Sequence, residues 1–204
     1  MRLIVVGCEN VGKTTLVNNL QEWGKGTGFH FHMDDHFTIP DAKHLSDDER
    51  QRMMDLGPVM KERYQRFQIY YHLPVLHRYD HVLITGFHIE ESVYGPKYYY
   101  DREPPGLYPR KIEHDFPEDT ILVLLKAKLE VLGDRMKKSG NPFPVVAETE
   151  LEEVSKLFEA EYGRSWMQRK VQIDTSDLSP SEVLDECLRL IRPQLSSRDL
   201  LRLG

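Results

Sequence analysis

Short apolar runs alternate with longer stretches of helical period along the chain. Residues 2–7 form an apolar run ending in glycine, which reads as a buried strand. In residues 13–23, Leu16, Val17 and Leu20 share one stripe of a helix. Residues 28–33 alternate weakly and are predicted as the second strand. The runs HVLIT (81–85), DTILVLL (119–125) and KVQID (170–174) are predicted as the third, fourth and fifth. Ser46-Asp47-Asp48-Glu49 has the form of a capping box and opens a helical region to about Tyr79. Gly57-Pro58 is expected to split that region and Pro74 to kink it. Further helices are predicted over 129–138 and 150–162, and a last one at Ser179-Pro180, with serine as cap and proline at the first position. Strands alternate with helices and are mostly apolar throughout. The prediction is an α/β fold with a parallel sheet covered on both faces.

At 204 residues the chain suits one domain spanning 1–204, with no internal repeat. Segments 95–109, rich in Pro, Gly and Tyr, and 139–146 look irregular. Long loops in a compact domain are functional or disordered, and ligands in this architecture bind at the carboxyl ends of the strands. Both segments are therefore candidate lids. The net charge of −6 argues against bulk electrostatic binding to nucleic acid. No apolar run is long enough to span a bilayer, and the N-terminal run is too short for a signal peptide, so a cytoplasmic protein is expected. The two cysteines, Cys8 and Cys187, offer neither a disulfide framework nor metal-site spacing.

Gly7-Cys8-Glu9-Asn10-Val11-Gly12-Lys13-Thr14 fits G-x-x-x-x-G-K-[ST], between an apolar strand and an amphipathic helix. Its glycines let backbone N–H groups wrap phosphate oxygens at a helix N-terminus. Gly7, Asn10, Val11 and Gly12 are the expected cradle. Lys13 is expected at the β- and γ-phosphates, Thr14 at Mg²⁺ and Thr15 at the α-phosphate. Cys8 reads as a tolerated small residue within the loop.

The motif points to nucleotide triphosphate binding but does not fix the reaction. A GTPase switch would carry D-x-x-G and N-K-x-D, and neither is found. A motor ATPase would end a strand in a carboxylate, whereas the candidate strand ends Leu83-Ile84-Thr85-Gly86. Size, the early loop and the lid-like segments favour a kinase using ATP and Mg²⁺.

Phe87-His88-Ile89-Glu90-Glu91-Ser92-Val93-Tyr94-Gly95 resembles the D-R-F-H-L-S-E-x-V-Y-G segment of the thymidylate-kinase-like group of small P-loop kinases, phage members included. Ile173-Asp174-Thr175-Ser176, followed by Ser179-Pro180, is similar to the segment where that group packs adenine. The 129–138 helix, with Arg135, Lys137 and Lys138, resembles a lid helix that carries an arginine onto the transferring phosphate. The resemblance implies a P-loop three-layer α/β/α fold, a five-stranded parallel sheet in order 2-3-1-4-5, nucleotide contact at Thr175 and a catalytic Arg135.

The D-R pair of that group falls on Thr85 and Gly86. Without the arginine, an acceptor phosphate loses charge-assisted hydrogen bonds. Arg102 or Arg110 is a candidate replacement. Met33-Asp34-Asp35-His36-Phe37 resembles the D-D-F-F or D-S-F-Y segment of nicotinamide riboside and uridine kinases, whose first aspartate faces the acceptor hydroxyl and the metal. An attacking alcohol must lose a proton, and a carboxylate in reach can take it. Both departures point to a hydroxyl acceptor. Asp34 is the first candidate for base or metal organiser and Asp35 the second; the alternative is that the pair caps a turn.

His30, His32 and Asp34 share one face of a strand. They read as half-buried or pocket-lining residues in preference to a metal site. His36, Phe37, His88, Glu91, Tyr94 and Arg102 are candidate acceptor contacts. Glu90 and Glu91 read equally as organisers of Mg²⁺ or as a solvated helix start. Tyr94, Tyr98, Tyr99 and Tyr100 either stack on a base or pack beneath a loop. The expected acceptor is a small nucleoside-like molecule. A hydroxymethylated base in DNA is carried as a variant that the net charge disfavours, and a nucleoside monophosphate as the alternative acceptor. The acidic run 149–161 reads as a solvated helix face, and Trp23 and Trp166 as core or subunit contacts in a possible homodimer.

Overall fold

The computed structural model describes residues 1–40, 45–100 and 108–203. Five strands form one all-parallel sheet in the order β2-β3-β1-β4-β5. β1 (Arg2–Val6) lies between β3 (Val82–Thr85) and β4 (Thr120–Lys126). Central strands are covered on both faces, which is why these three read as unbroken apolar runs. The edges are β2 (His32–Asp35) and β5 (Lys170–Asp174), and β5 alternates buried Val171 and Ile173 with exposed Gln172 and Asp174.

Helices follow the strands in a three-layer α/β/α arrangement. α1 (Lys13–Thr27) packs against α8 (Pro180–Ile191). α4 (Phe87–Tyr94) packs against α3 (Pro58–Arg78) and α7 (Leu151–Arg164). α2 (Asp47–Met54), α5 (Tyr108–Lys111), α6 (Leu129–Ser139) and α9 (Ser197–Arg202) complete the set described. Ser46 and Ser179 each form a reciprocal capping box, with Glu49 and Glu182 respectively. Gly57-Pro58 separates α2 from α3, and α3 continues through Pro74. No described helix is long and apolar enough to cross a membrane.

The largest revision is at β2, which occupies 32–35 and not 28–33. α1 runs four residues beyond Trp23, and Gly28 then caps it with φ 79°, its N–H reaching the Gly24 carbonyl. The strand therefore starts later and contains both aspartates. Segment 95–109 also differs from the irregular loop expected: residues 95–99 form a π-helical turn and 108–111 belong to α5.

Candidate active site

The loop after β1 is built by backbone conformations that favour glycine. Gly7 and Gly12 have φ of 146° and 106°, and Asn10 has φ 64°. A Cβ on Gly7 would stand 2.5 Å from the Leu125 carbonyl oxygen. Gly12 caps α1 without any side-chain bond, and nothing lies within 4 Å of where its Cβ would be. The first turn of α1 borders an open cavity at the positive end of the helix, a fit for phosphate oxygens. Lys13 curls back so that Nζ donates to the Gly7 carbonyl at 2.7 Å and stands 3.3 Å from the Glu90 carboxylate.

Two cavities meet at this loop. One, of about 490 Å³, is bordered by Val11, Thr15, Arg135, Thr175 and the apolar Leu178 and Val183. The other, of about 250 Å³, is bordered by Asp35, His36, Phe37, Arg50, Glu90 and Tyr94. Glu9, Lys13 and Thr14 border both. A phosphate chain laid along the first cavity would end at the second.

Arg135 belongs to the first cavity. It donates to the Val11 carbonyl at 3.2 Å, the Thr175 hydroxyl at 2.9 Å and the Thr175 carbonyl at 2.8 Å. Thr175 also donates to the Val11 carbonyl at 3.1 Å. The arginine thus ties the loop to Thr175, just past the end of β5, and borders the first cavity together with Lys13 and Thr14.

Alternation along β2 separates its two aspartates. Asp34 faces α3, with Oδ2 3.4 Å from His72 Nδ1 and 3.9 Å from His32 Nε2. Burial pushes its carboxyl up, but the His72 bond and charge outweigh that and hold it below the usual range. Asp35 faces the phosphate loop and accepts a hydrogen bond from the Thr85 hydroxyl. Asp34, the first candidate for base or metal organiser, does not border the acceptor-side cavity, whereas Asp35, the second candidate, does. His30 is exposed and His32 stacks on Tyr79, with ring centroids 4.0 Å apart. Among the described residues no three His, Cys, Asp or Glu side chains are placed to hold a metal ion.

Glu90 is the carboxylate that position 86 makes room for. A Cβ on Gly86 would stand 2.9 Å from the Glu90 carboxyl, and Gly86 has φ 77°. Burial holds this carboxyl above its usual range, while Lys13 pulls it back down. The place of the missing arginine thus borders on an acid. We expect Gly86→Ala to lower the thermal midpoint by about 2–6 °C, from backbone strain and crowding of Glu90. An unchanged melting curve would refute this.

Several expected acceptor contacts are structural. His88 is buried and pairs with Glu113 at 2.7 Å, which also accepts from the Trp166 N–H, so it lies in the core and not in the cavity. Glu91 is buried 3.7 Å from His36 and does not border the cavity. Burial pushes the His36 imidazole down to about 3, so it enters the site neutral. Tyr94 is buried at the cavity edge, its hydroxyl accepting the Glu9 N–H at 3.1 Å. Tyr99 accepts the Ile39 N–H at 3.2 Å, Tyr98 donates to Glu150 at 3.1 Å, and Tyr100 is buried. Of these four, only Tyr94 borders the acceptor-side cavity. Arg110 pairs with Glu161 at 2.7 Å, outside the site, and Arg102 lies outside the described residues. Cys8 is buried, which pushes its thiol up to about 11 and leaves it unreactive. Phe37 lines the cavity, its backbone clasped by Gln65 and Gln68 of α3.

Two site residues escaped the sequence reading. Arg50, on α2, lies over the Phe143 ring at 4.5 Å and donates to Asn141 at 3.0 Å, placing a cation in the acceptor-side cavity. Nothing in the polar α2 sequence distinguishes it from its neighbours. Glu9 accepts from Val145 N–H at 2.9 Å, Val146 N–H at 3.2 Å and Asn141 Nδ2 at 3.2 Å. A phosphate-loop carboxylate thereby clasps the 139–146 segment, and its acidity within the motif was the available signal. In Glu9→Ala, hydrogen exchange at the Val145 and Val146 amides should accelerate at least about tenfold, since each loses a charge-assisted bond. Unchanged protection would mean that the segment is held by other contacts.

The sequence matches no family model and no curated protein. Solved structures do match in fold. YorR from Bacillus subtilis, in complex with phosphorylated GDP, aligns with TM-score 0.63 at 18% identity over 93% of this chain and 95% of its own. Deoxyadenosine kinase from M. mycoides with bound dATP aligns with TM-score 0.64 at 13% identity over 94% and 100%. Thymidylate kinase from Candida albicans aligns with TM-score 0.63 at 10% identity over 94% and 91%. At these identities the likeness establishes the P-loop kinase fold.

Proposed function

We propose that this chain is a kinase that transfers the γ-phosphoryl group of ATP to a hydroxyl of a small nucleoside-like acceptor. The observation that carries the reading is Asp35, a strand-end carboxylate in the cavity that Lys13 and Thr14 share with the nucleotide side. The nucleotide lies in the cavity of Val11, Arg135 and Thr175, its phosphates on the Gly7–Gly12 backbone. Lys13 holds the β- and γ-phosphate charge. Magnesium bound with the nucleotide would neutralise phosphate charge, and Thr14, where the cavities meet, is the residue to hold it, with Asp35 and Glu90 as the nearby carboxylates.

The acceptor oxygen forms a bond to the γ-phosphorus as the bond to the β–γ bridging oxygen breaks. The hydroxyl proton passes to Asp35, and the nucleoside diphosphate leaves. Glu90 fills the side of the site where an acceptor-phosphate arginine would otherwise be expected, and so disfavours an anionic acceptor. The clasped 139–146 segment excludes water.

The test is transfer of labelled γ-phosphate from ATP to nucleosides, nucleoside monophosphates, and DNA with plain or hydroxymethylated bases. Label on a free hydroxyl is expected. Arg50 favours the second reading, a monophosphate acceptor. Label on monophosphates alone would establish that reading, with Arg50 as the cation to substitute next.

A further inference from the structure

Asn141 stands where the phosphate loop, the 139–146 segment and α2 meet. A side-chain amide has two N–H donors and an oxygen with two lone pairs, and here all are used. Nδ2 donates to Glu9 Oε1 at 3.2 Å and to the Phe143 carbonyl at 3.2 Å. Oδ1 accepts from Arg50 Nη2 at 3.0 Å and from the Phe143 N–H at 3.1 Å. Charge fixes the orientation of the amide. Turned over, it would set its oxygen against the Glu9 carboxylate and its NH₂ against the Arg50 guanidinium.

Arg50 depends on this contact for its place. It is buried, and its Nε has no hydrogen-bond partner among the described residues. Its other contacts are the Phe143 ring at 4.5 Å and a long approach of 3.5 Å to the exposed Asp47. The guanidinium therefore keeps a donor unspent at the border of the acceptor-side cavity. We propose that Asn141 is a positioning residue: it sets Arg50 at the acceptor-side cavity through an amide that Glu9 of the phosphate loop holds in one orientation. The acceptor pocket is thereby assembled against the nucleotide loop. Only the identity of the cavity's ligand, the acceptor, is taken from the proposed function.

Exchanging the two polar groups of the junction tests it. Asn141→Asp sets a carboxylate against that of Glu9. Adding Glu9→Gln puts a donor opposite it again. The introduced glutamine keeps an oxygen for the Val145 and Val146 amides that Glu9 now serves. The introduced aspartate keeps an oxygen for Arg50, and only the bond to the Phe143 carbonyl is lost. Hydrogen exchange at the Val145 and Val146 amides is expected to accelerate at least about tenfold in Asn141→Asp and to return most of the way in E9Q/N141D. With whichever acceptor takes label, Asn141→Asp is expected to raise the acceptor KM about tenfold or more, and the double variant to recover most of that loss. The ATP KM should stay within about threefold, because Asn141 does not border the nucleotide cavity. Exchange that Asn141→Asp leaves unchanged, or that Glu9→Gln fails to restore, would overturn the proposal whether or not any acceptor is labelled. An unchanged acceptor KM in Asn141→Asp would also overturn it, since Arg50 would then hold its place without Asn141.

Discussion

Lys13→Ala is expected to reduce phosphoryl transfer at least about 10³-fold while leaving the fold in place. Lys13 is the loop's own cation, donating to the Gly7 carbonyl and standing beside Glu90 where the two cavities meet. Phosphoryl transfer relies on positioning and charge, so losing this ammonium removes a large share of the catalytic effect. The fold should survive, because the Glu90 left behind is already held above its ordinary range and can take up a proton in place of staying charged. Initial rates at saturating ATP, together with a thermal melt, check both parts. A near-normal rate would remove Lys13 from the mechanism. A collapsed melt would make the loss of rate uninformative, and Lys13→Met then serves as the variant that keeps the aliphatic stem.

Asp35→Asn is expected to lower kcat by about 10²–10⁴-fold with little change in ATP affinity, as befits loss of a general base. Asparagine keeps an oxygen able to accept the Thr85 hydroxyl, so the strand end should stay in place. Asp34→Asn is expected to act differently. It removes the charge of a carboxylate that lies 3.4 Å from His72 on the face of β2 turned to α3, so it should lower stability and leave kcat within a fewfold. The two variants measured side by side test whether the faces of β2 divide structure from chemistry. Equal losses of kcat would show that the base does not reside on Asp35 alone. Loss of ATP affinity in Asp35→Asn would make Asp35 a metal-organising residue.

Much of the architecture was legible in the residues. β5 matches the run KVQID residue for residue, β3 lacks only the first residue of its run, and β4 is shifted from its run by one residue. Ser46 and Ser179 cap where their sequences say they should, because a capping box spans four residues and needs nothing beyond them. The phosphate loop is legible for the same reason: its glycines, lysine and helix start are contiguous. The sheet order followed from the resemblance and not from periodicity, which cannot order strands.

The acceptor side was legible only in part. The aspartate pair was visible, but the choice between Asp34 and Asp35 depends on where β2 begins and on its register with β3, and a shift of one residue exchanges the faces. His88 and Glu91 looked like site residues because the segment resembles a catalytic one, yet tertiary packing placed His88 on Glu113 and Glu91 beside His36. Arg50 reaches Asn141, 91 residues away, and Glu9 reaches Val145, 136 residues away. What the residues determined alone are features closed within a few positions: every strand but β2, the caps, and the glycine-rich loop with its helix start. The tertiary structure decided which charges share a cavity, because that depends on the crossing of elements distant in the chain, and local backbone preference carries no information about side chains brought together by packing.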